Sequence, residues 1–481
     1  MFWRGVMGYL PVNVVQGVVG LLTIVVLTRI LSPADYGVYA LAFLAMSLVS
    51  TGLFVWLEAA MARFYAPESI GGRLPGHFAT VYRTFAVMAV GFPLIAGAIL
   101  WLVPMPVPLK FAVGAGLCAI VFRSLLKLAQ ERRRAAGDVS GAALIDIAQT
   151  IGGFVVGAGL AVLGWGGGAP LIGMGAAAGV CLIWVLPTEL TRVRGGSFEP
   201  ARLRMYAAYG FPVAGSLILA LVLATTDRFL LAAYLNDTSV GVYHAGYSLA
   251  NRTLDVMFIW LGMAGGPAAI AALERGGHAA LKSAAHEQAS FMVALTLPAA
   301  AGLALVARPL ADLMIGPGLR EGAAHVTPWI AASAFMAGIT TYYFHTAFTL
   351  ARRTRLLMLA MSAPALSNLV LNWLLIPRFG LDGALWATLA SYGLGVVASS
   401  ALGRRALALP VPWETLGRAG VATIAMALTV SLVPASGGVL ELFAKATVGA
   451  LVYSVLALVL NVCGIREPAS RVVRALQARM A

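Results

Sequence analysis

Charge is scarce in this chain of 481 residues, and cysteine is scarcer. Only 11% of the residues are Asp, Glu, Lys or Arg, whereas soluble domains contain roughly 25%. The three cysteines, Cys118, Cys181 and Cys463, all lie in apolar runs. This placement argues against a disulfide framework and indicates small buried side chains. Because 60% of the residues are hydrophobic, the composition excludes an ordinary water-soluble domain.

The chain instead contains many apolar runs, each long enough to cross a hydrocarbon core of about 30 Å. These runs predict an all-α polytopic membrane protein with about 14 transmembrane helices. The first run is too long for a signal peptide and lacks a small-residue cleavage site, so we expect it to remain as the first helix. The predicted spans are 8–30, 37–62, 81–103, 108–128, 141–163, 169–190, 206–234, 239–264, 288–308, 325–350, 356–376, 381–403, 414–435 and 438–462.

The basic residues predict the orientation of these spans. If the N-terminus is cytoplasmic, 24 of the 33 Lys and Arg residues fall on the cytoplasmic side, 6 on the outer side and 3 inside spans. Cytoplasmic loops of membrane proteins carry such an excess, so both termini are expected in the cytoplasm. The short basic loops lack interleaved aromatic residues, which argues against nucleic acid as a partner despite the net charge of +14.

An internal repeat predicts the domain organisation. The turn Ser32–Asp35 precedes Tyr36-Gly37-Val38-Tyr39, and Ser239-Val240-Gly241-Val242-Tyr243 repeats the pattern with Gly37 and Gly241 placed 204 residues apart. Six predicted helices separate the copies, so we expect two parallel six-helix lobes with a substrate cavity between them. The predicted parts are an N-terminal lobe at 1–190, a basic cytoplasmic linker at 191–205, a C-terminal lobe at 206–403, two further helices at 404–462 and a basic amphipathic tail at 463–481.

Ionisable side chains inside the predicted spans are candidates for substrate binding, because burying them in a membrane is costly. Guanidinium groups suit phosphate, since two parallel donors match two oxygens. The candidate residues for a cavity that binds an anionic group are Arg29, Arg123, Arg228, Arg252, Asp255 and Glu58. The alternatives are a structural pair between Arg252 and Asp255 and interface snorkelling or local pairing for the others.

A second candidate set is rich in oxygen and consists of Asp227, Asn368, Asn372 and Thr388. These side chains are predicted at similar depth, where they suit coordination of Na⁺, or proton transfer on Asp227. The alternative is hydrogen bonding between helices. No arrangement of nucleophile and base is found in the sequence, so we expect no catalytic residue, no enzymatic activity and no cofactor beyond a coupling Na⁺ or H⁺.

Three stretches resemble a known family. They are LTRILSPADYGVYAL near helices 1 and 2, YGFP with DRFLL and VGVYHAGYSLA near helices 7 and 8, and NLVLNWLLIPRFGLDGALWAT near helices 11 and 12. Together, and in this order, they resemble the polysaccharide biosynthesis family of bacterial membrane proteins. That family comprises the Wzx-type O-antigen and exopolysaccharide flippases of the multidrug/oligosaccharidyl-lipid/polysaccharide (MOP) exporter superfamily.

The resemblance implies a V of two six-helix lobes in the bacterial cytoplasmic (inner) membrane. It also implies that an undecaprenyl-diphosphate-linked oligosaccharide is moved from the cytoplasmic to the periplasmic leaflet by alternating access. In the related lipid II flippases, an Asp, an Asn, a second Asp and a Thr bind sodium. Asp227, Asn368, Asn372 and Thr388 resemble those positions, and Asn372 departs from the pattern by replacing the second Asp.

Two other classes of function are weighed against the flippase. A MATE-like exporter of drugs or cations from the same superfamily would line its cavity with carboxylates rather than arginines. An integral-membrane polymerase or glycosyltransferase would need large outer loops or an acidic loop motif, and the predicted loops are short. We therefore expect a monomeric flippase with membrane lipids, its lipid-linked oligosaccharide and a polysaccharide polymerase as partners.

Overall fold

The computed structural model describes residues 2–351 and 353–466. Within these ranges the chain is almost entirely helical and has no β-strand, and nine helices are long and apolar enough to cross a membrane. The all-α, multi-pass prediction is therefore confirmed. Residues 467–481 of the predicted tail lie outside the described residues.

The helices are α1 Phe2–Ile30, α2 Pro33–Leu53, α3 Val55–Ile70, α4 Leu74–Leu102, α5 Val107–Ala135, α6 Val139–Val162, α7 Ala169–Val193, α8 Pro200–Tyr234, α9 Asp237–Leu305, α10 Ala307–Met314, α11 Pro317–Ile339, α12 His345–Leu350, α13 Thr354–Ala406, α14 Trp413–Ser431 and α15 Gly438–Val459.

Helix ends follow from local chemistry. Ser32 precedes α2, and its hydroxyl oxygen accepts a hydrogen bond from the backbone N–H of Asp35 at 3.1 Å. Pro33 occupies the first helical position, where its missing N–H is not needed. The predicted turn is thus the start of α2. The predicted span 37–62 is interrupted at Phe54, which separates α2 from α3.

Two glycines interrupt the longest helices. Gly277 in α9 has φ 64°, and Gly380 in α13 has φ 58°. A side chain rarely adopts this backbone conformation, and glycine adopts it without steric cost. The prediction places separate spans on either side of each break, so α9 and α13 each comprise two helical segments.

The chain forms two compact units, Met1–Gly241 and Val242–Ala481. In the first unit, α6 and α7 lie backbone to backbone, because a Cβ atom added to Gly173 would collide with the backbone of Gly157. Gly37 and Gly241, the repeat-related glycines, also meet in this unit. A Cβ atom on Gly37 would collide with the carbonyl oxygen of Asp237, and one on Gly241 with that of Pro33. Both contacts depend on the absence of a side chain.

In the second unit, the last two helices pack on the second segment of α9. The Tyr453 hydroxyl of α15 donates a hydrogen bond to the carbonyl oxygen of Ala294 at 2.6 Å. The Thr415 hydroxyl of α14 donates to Ser290 Oγ at 3.2 Å. Apolar residues of all three helices form one buried cluster around these bonds, which joins α14 and α15 to the rest of the unit.

Replacing Gly37 tests the close approach of α2 and α9. The Gly37→Ala substitution should lower the free energy of unfolding by about 1–3 kcal/mol, because the methyl group overlaps a backbone carbonyl that must shift. Gly97→Ala in α4 is the matched control, since no atom lies within 4 Å of a Cβ atom there. Thermal unfolding of both variants in detergent measures the difference, and equal midpoints would contradict the assignment.

Candidate functional site

A polar cavity of about 370 Å³ lies within the first unit. Side chains of α1, α2, α3, α5 and α6 provide hydroxyl, amide and charged groups, and a few apolar residues complete the wall. The polar lining residues are Gln16, Ser47, Ser50, Thr51, Glu58, Arg123, Ser124, Lys127, Gln130, Asp146, Gln149 and Thr150. A concentration of polar groups inside a helical membrane protein is typical of a site for a polar ligand.

Helix α5 contributes the cations of this cavity. Arg123, Lys127 and Gln130 are spaced by four and three residues, which places them on one face of the helix. Leu126 and Ala129 belong instead to a buried apolar cluster with residues of α7. The pattern of α5 therefore directs apolar residues into the protein and polar residues into the cavity.

Arg123 and Glu58 share the cavity without an ion pair. The Arg123 guanidinium contacts Met46 Sδ at 3.7 Å, and within the described ranges it forms no ion pair with a carboxylate. The Glu58 carboxylate likewise has no cation within ion-pair distance among the described residues. The amide nitrogen of Gln130, a residue that is 1% exposed, has no hydrogen-bond partner in the described chain. These unmatched groups suit a ligand that carries both charge and hydrogen-bonding oxygens.

The charges near the C-terminal end of α5 are paired. Lys127 Nζ lies 3.7 Å from Glu131 Oε1, and Arg134 Nη1 lies 2.7 Å from the same oxygen. Arg134 also forms an ion pair with Asp146 of α6. Arg123 is thus the cavity cation whose charge is not compensated by an ion pair in the described part of the chain.

A buried network holds α5 against its neighbours. Arg132 donates from Nε at 3.0 Å and from Nη2 at 2.7 Å to one oxygen of Glu189 in α7. The Tyr82 hydroxyl of α4 donates to the other oxygen at 3.0 Å. Because Glu189 is only 1% exposed, these three bonds provide the compensation that its charge requires.

The second unit contains two buried hydrogen-bonded pairs, Asn368 with Asn372 within α13 and Thr388 of α13 with Tyr243 of α9. Asn372 Nδ2 donates to Asn368 Oδ1 at 3.0 Å, and the Tyr243 and Thr388 hydroxyl oxygens lie 3.0 Å apart. Asn372 Oδ1 is buried and has no hydrogen-bond partner among the described residues. An unmatched buried oxygen suits a hard cation. Tyr243 is not among the predicted site residues, although it lies in the second copy of the internal repeat.

The other predicted residues of the first unit lie outside the lining of this cavity. Asp227 and Arg228 are buried, and Arg228 Nη1 lies 3.0 Å from Asp227 Oδ1. Arg228 also donates to the carbonyl oxygen of Ala224. Arg29 Nη1 donates to the carbonyl oxygen of Val25 at 2.7 Å. Each of these arginines thus donates a hydrogen bond to a carbonyl oxygen of its own helix.

In the second unit, Asp255 accepts a hydrogen bond from Asn251 Nδ2 at 2.6 Å. Arg252 is exposed and forms no ion pair with Asp255 within the described residues. The observed hydrogen-bond donor to Asp255 is thus Asn251, which lies one turn earlier in the helix. The i, i+4 spacing in the sequence is the signal that identifies it.

The fold matches solved structures of transporters. A lipid II flippase, MurJ, in an inward closed conformation is 13% identical, with 93% of this chain and 97% of that chain covered and a TM-score of 0.75. An inward-facing multidrug resistance MATE family transporter of the MOP superfamily is 13% identical, with 81% and 96% covered and a TM-score of 0.63. The Vibrio cholerae MATE transporter VcmN is 16% identical, with 84% and 94% covered and a TM-score of 0.54.

These structures define the class: the chain has the fold of MOP superfamily transporters, as the resemblance implied. The sequence profile of one family, described as polysaccharide biosynthesis protein, matches residues 26–320. Since this is more than half of the chain, the protein belongs to that family. No curated protein sequence matches the chain at a significant level.

Removing the carboxylate of Glu189 tests the network that supports α5. Glu189→Gln should lower the free energy of unfolding by about 3–5 kcal/mol, because it leaves the buried Arg132 guanidinium without its counter-charge. Tyr82→Phe is the graded control and should cost about 1 kcal/mol, the value of one hydrogen bond. Chemical or thermal unfolding in detergent measures both, and an equal loss for the two variants would contradict the ion pair's role.

Proposed function

We propose that the protein is a flippase that moves an undecaprenyl-diphosphate-linked oligosaccharide from the cytoplasmic to the periplasmic leaflet. The observation that carries this proposal is Arg123, a cation without a carboxylate partner in the described chain, in a cavity otherwise lined with hydroxyls and amides. A guanidinium binds phosphate oxygens by charge-assisted hydrogen bonds. Hydroxyl and amide side chains match the donors and acceptors of a sugar. Family membership and the fold support transport of a lipid-linked glycan.

The proposal includes the membrane arrangement. Fourteen spans in two parallel six-helix lobes, with two additional C-terminal helices, would place both termini in the cytoplasm and the protein in the bacterial inner membrane. The glycan would be an O-antigen or exopolysaccharide repeat unit, and a polymerase would receive the translocated product. Alternating access then requires binding and release of the headgroup but no covalent chemistry. Arg29, Arg228, Arg252 and Asp255 remain predicted contacts of the same substrate.

A MATE-like exporter of drugs or cations is the second candidate. The Glu58 carboxylate favours it, because this acid lies in the cavity and has no ion-pair partner among the described residues. The cavity contains equal numbers of carboxylates and cationic groups, so its charge alone does not exclude a cationic substrate. Arg123 has no carboxylate partner among the described residues, and this favours an anionic substrate.

Replacing Arg123 tests the flippase. In cells that produce Arg123→Gln, delivery of the lipid-linked glycan to the periplasmic leaflet should fall about tenfold or more, because a charge-assisted hydrogen bond contributes about 1.5–3 kcal/mol. Arg418→Gln, which removes a half-buried arginine of α14 that is ion-paired with Glu414 and lies outside the cavity lining, is the matched control. Leaflet-specific labelling of the glycan gives the readout, with protein abundance measured in parallel. Normal delivery in cells that lack the protein would eliminate the flippase proposal.

Coupling to Na⁺ or H⁺ is also a proposal, and its candidate groups are Asp227 in the first unit and Asn368, Asn372 and Thr388 in the second unit. The unmatched oxygen of Asn372 supports a cation. A single carboxylate among these groups leaves proton transfer on Asp227 as the alternative.

Sodium should raise the unfolding midpoint of the purified protein by a few degrees over potassium at equal ionic strength, because a ligand stabilises the state that binds it. Asn372→Ala should abolish this difference by removing the oxygen ligand. Thr423→Val, which changes a buried hydroxyl of α14, should retain it. A wild-type protein that melts equally in both salts would contradict a sodium site.

A further inference from the structure

Two neighbouring helices of the first unit, α4 and α7, present apolar side chains outward. On α4, Val87, Val90 and Leu94 are 69–74% exposed, and their spacing of three and four residues places them on one helix face. On α7, Ile183 and Leu190 are exposed two turns apart. Both helices are long and apolar enough to cross a membrane. These two faces therefore suit contact with acyl chains.

An arginine lies at one end of each apolar face. Arg83 precedes Val87 by four residues, and Arg194 follows Leu190 by four residues, so each arginine continues the line of its face. The face of α4 from Arg83 to Leu94 is about 16 Å long at 1.5 Å per residue. This is about half of the 30 Å hydrocarbon thickness, so the face has the depth of one leaflet.

Hydrogen bonds hold the arginine ends of the two helices together. The Tyr82 hydroxyl of α4 donates to Glu189 of α7 at 3.0 Å. Arg83 Nη2 donates to the carbonyl oxygen of Gly196 at 3.4 Å. Gly196 follows Arg194 by two residues, so the Cα atoms of these two residues are at most about 7.6 Å apart. The arginines that end the two faces are therefore neighbours.

Two glycines after α7 allow this approach. Gly195 has φ 80°, a conformation that glycine adopts without steric cost. A Cβ atom added to Gly196 would collide with the carbonyl oxygen of Pro75 in the first turn of α4. The chain after α7 thus packs against the start of α4, and this contact places Arg194 beside Arg83.

The buried carboxylates at this end of the unit are paired with other arginines. Glu189 forms an ion pair with Arg132, and Glu68 forms one with Arg202. The half-buried Glu199 also pairs with Arg202. None of these three acids therefore neutralises the arginines at the ends of the apolar faces.

Arg83, Arg192 and Arg194, here called the basic cap, are exposed and form no ion pair with a carboxylate of residues 2–351 or 353–466. Arg192 is near enough to the Tyr82 hydroxyl to act on it electrostatically, which places it close to Arg83. Three neighbouring guanidinium groups without a counter-charge repel one another, and a bound anion relieves this repulsion.

We propose that the basic cap and the two apolar faces bind an anionic phospholipid, with its phosphate at the arginines and its acyl chains on α4 and α7. Guanidinium groups bind phosphate oxygens by charge-assisted hydrogen bonds. A free phosphate would use the cap but neither apolar face, so the combination fits a lipid. The predicted orientation puts the cap at the cytoplasmic leaflet, whose surface is negatively charged. The inference uses no residue of the cavity and is independent of the proposed function.

The test measures lipid binding to the full-length protein in detergent by native mass spectrometry. The probes are dioleoylphosphatidylglycerol, which is anionic, and dioleoylphosphatidylcholine, which has no net charge. Wild-type protein should bind the anionic lipid more tightly. In the triple variant Arg83→Gln, Arg192→Gln and Arg194→Gln, the dissociation constant of phosphatidylglycerol should rise about tenfold or more, because charge-assisted hydrogen bonds are lost. The dissociation constant of phosphatidylcholine should change little.

Two further variants separate the site from general charge and from folding. Replacing all three arginines of the cap by lysine keeps the charge and should retain most of the preference for phosphatidylglycerol. The double variant Arg404→Gln and Arg405→Gln removes two adjacent exposed arginines in the last turn of α13 and should bind as the wild type. All variants should unfold at the wild-type midpoint in detergent without added lipid, because the replaced side chains are exposed.

Four results would overturn the inference. One is equal binding of phosphatidylglycerol by wild type and the triple glutamine variant. Another is an equal loss in the α13 variant, which would show general attraction to a basic surface. The third is a rise in unfolding midpoint with inorganic phosphate as large as with phosphatidylglycerol, which would indicate an anion site without a role for acyl chains. The fourth is preferential displacement of phosphatidylglycerol by farnesyl diphosphate, which would assign the surface to a diphosphate-linked lipid instead.

Discussion

Hydrocarbon contains no water to hydrogen-bond with, and this constraint explains why the described chain is almost entirely helical. Every backbone N–H and C=O group at membrane depth must find a partner within the chain, which an α-helix provides from its own residues. The described chain accordingly changes direction at caps, prolines and glycines. Gly277 and Gly380 mark the breaks within its two longest helices. Close contacts between helices, such as that of Gly157 with Gly173, occur where side chains are absent.

The same constraint governs the charged side chains. Arg132 is buried with Glu189, and Asp227 is buried beside Arg228, so each charge at these places is compensated by a neighbour. The cavity of the first unit departs from this rule. There the opposite charges of Arg123 and Glu58 face shared space without pairing in the described chain. Unpaired charge is tolerated where water or a polar ligand can enter, so this departure distinguishes a binding site from a structural ion pair.

Sequence patterns predicted the helices more completely than they predicted the contacts between side chains. The turn Ser32–Asp35 and the apolar runs are local properties, so they predicted the helices, and the three quoted stretches predicted the family. The site was predicted in part. Arg123 and Glu58 were candidates because charge is rare in the spans, but spacing did not reveal that they share a cavity. Lys127 and Gln130 were overlooked as lining residues, although their spacing from Arg123 places all three on one face of α5.

Hydropathy, turn chemistry and local motifs are written in the sequence, so they alone predict a helical membrane protein of the polysaccharide biosynthesis family. The packing of the helices determines which charges are compensated. It engages Arg228 with Asp227 and leaves Arg123 facing a polar cavity. It also gives Asp255 a hydrogen bond from Asn251 and places Tyr243 beside Thr388. These outcomes depend on the helix rotation and side-chain packing that bring partners together, and helical spacing alone leaves both undetermined.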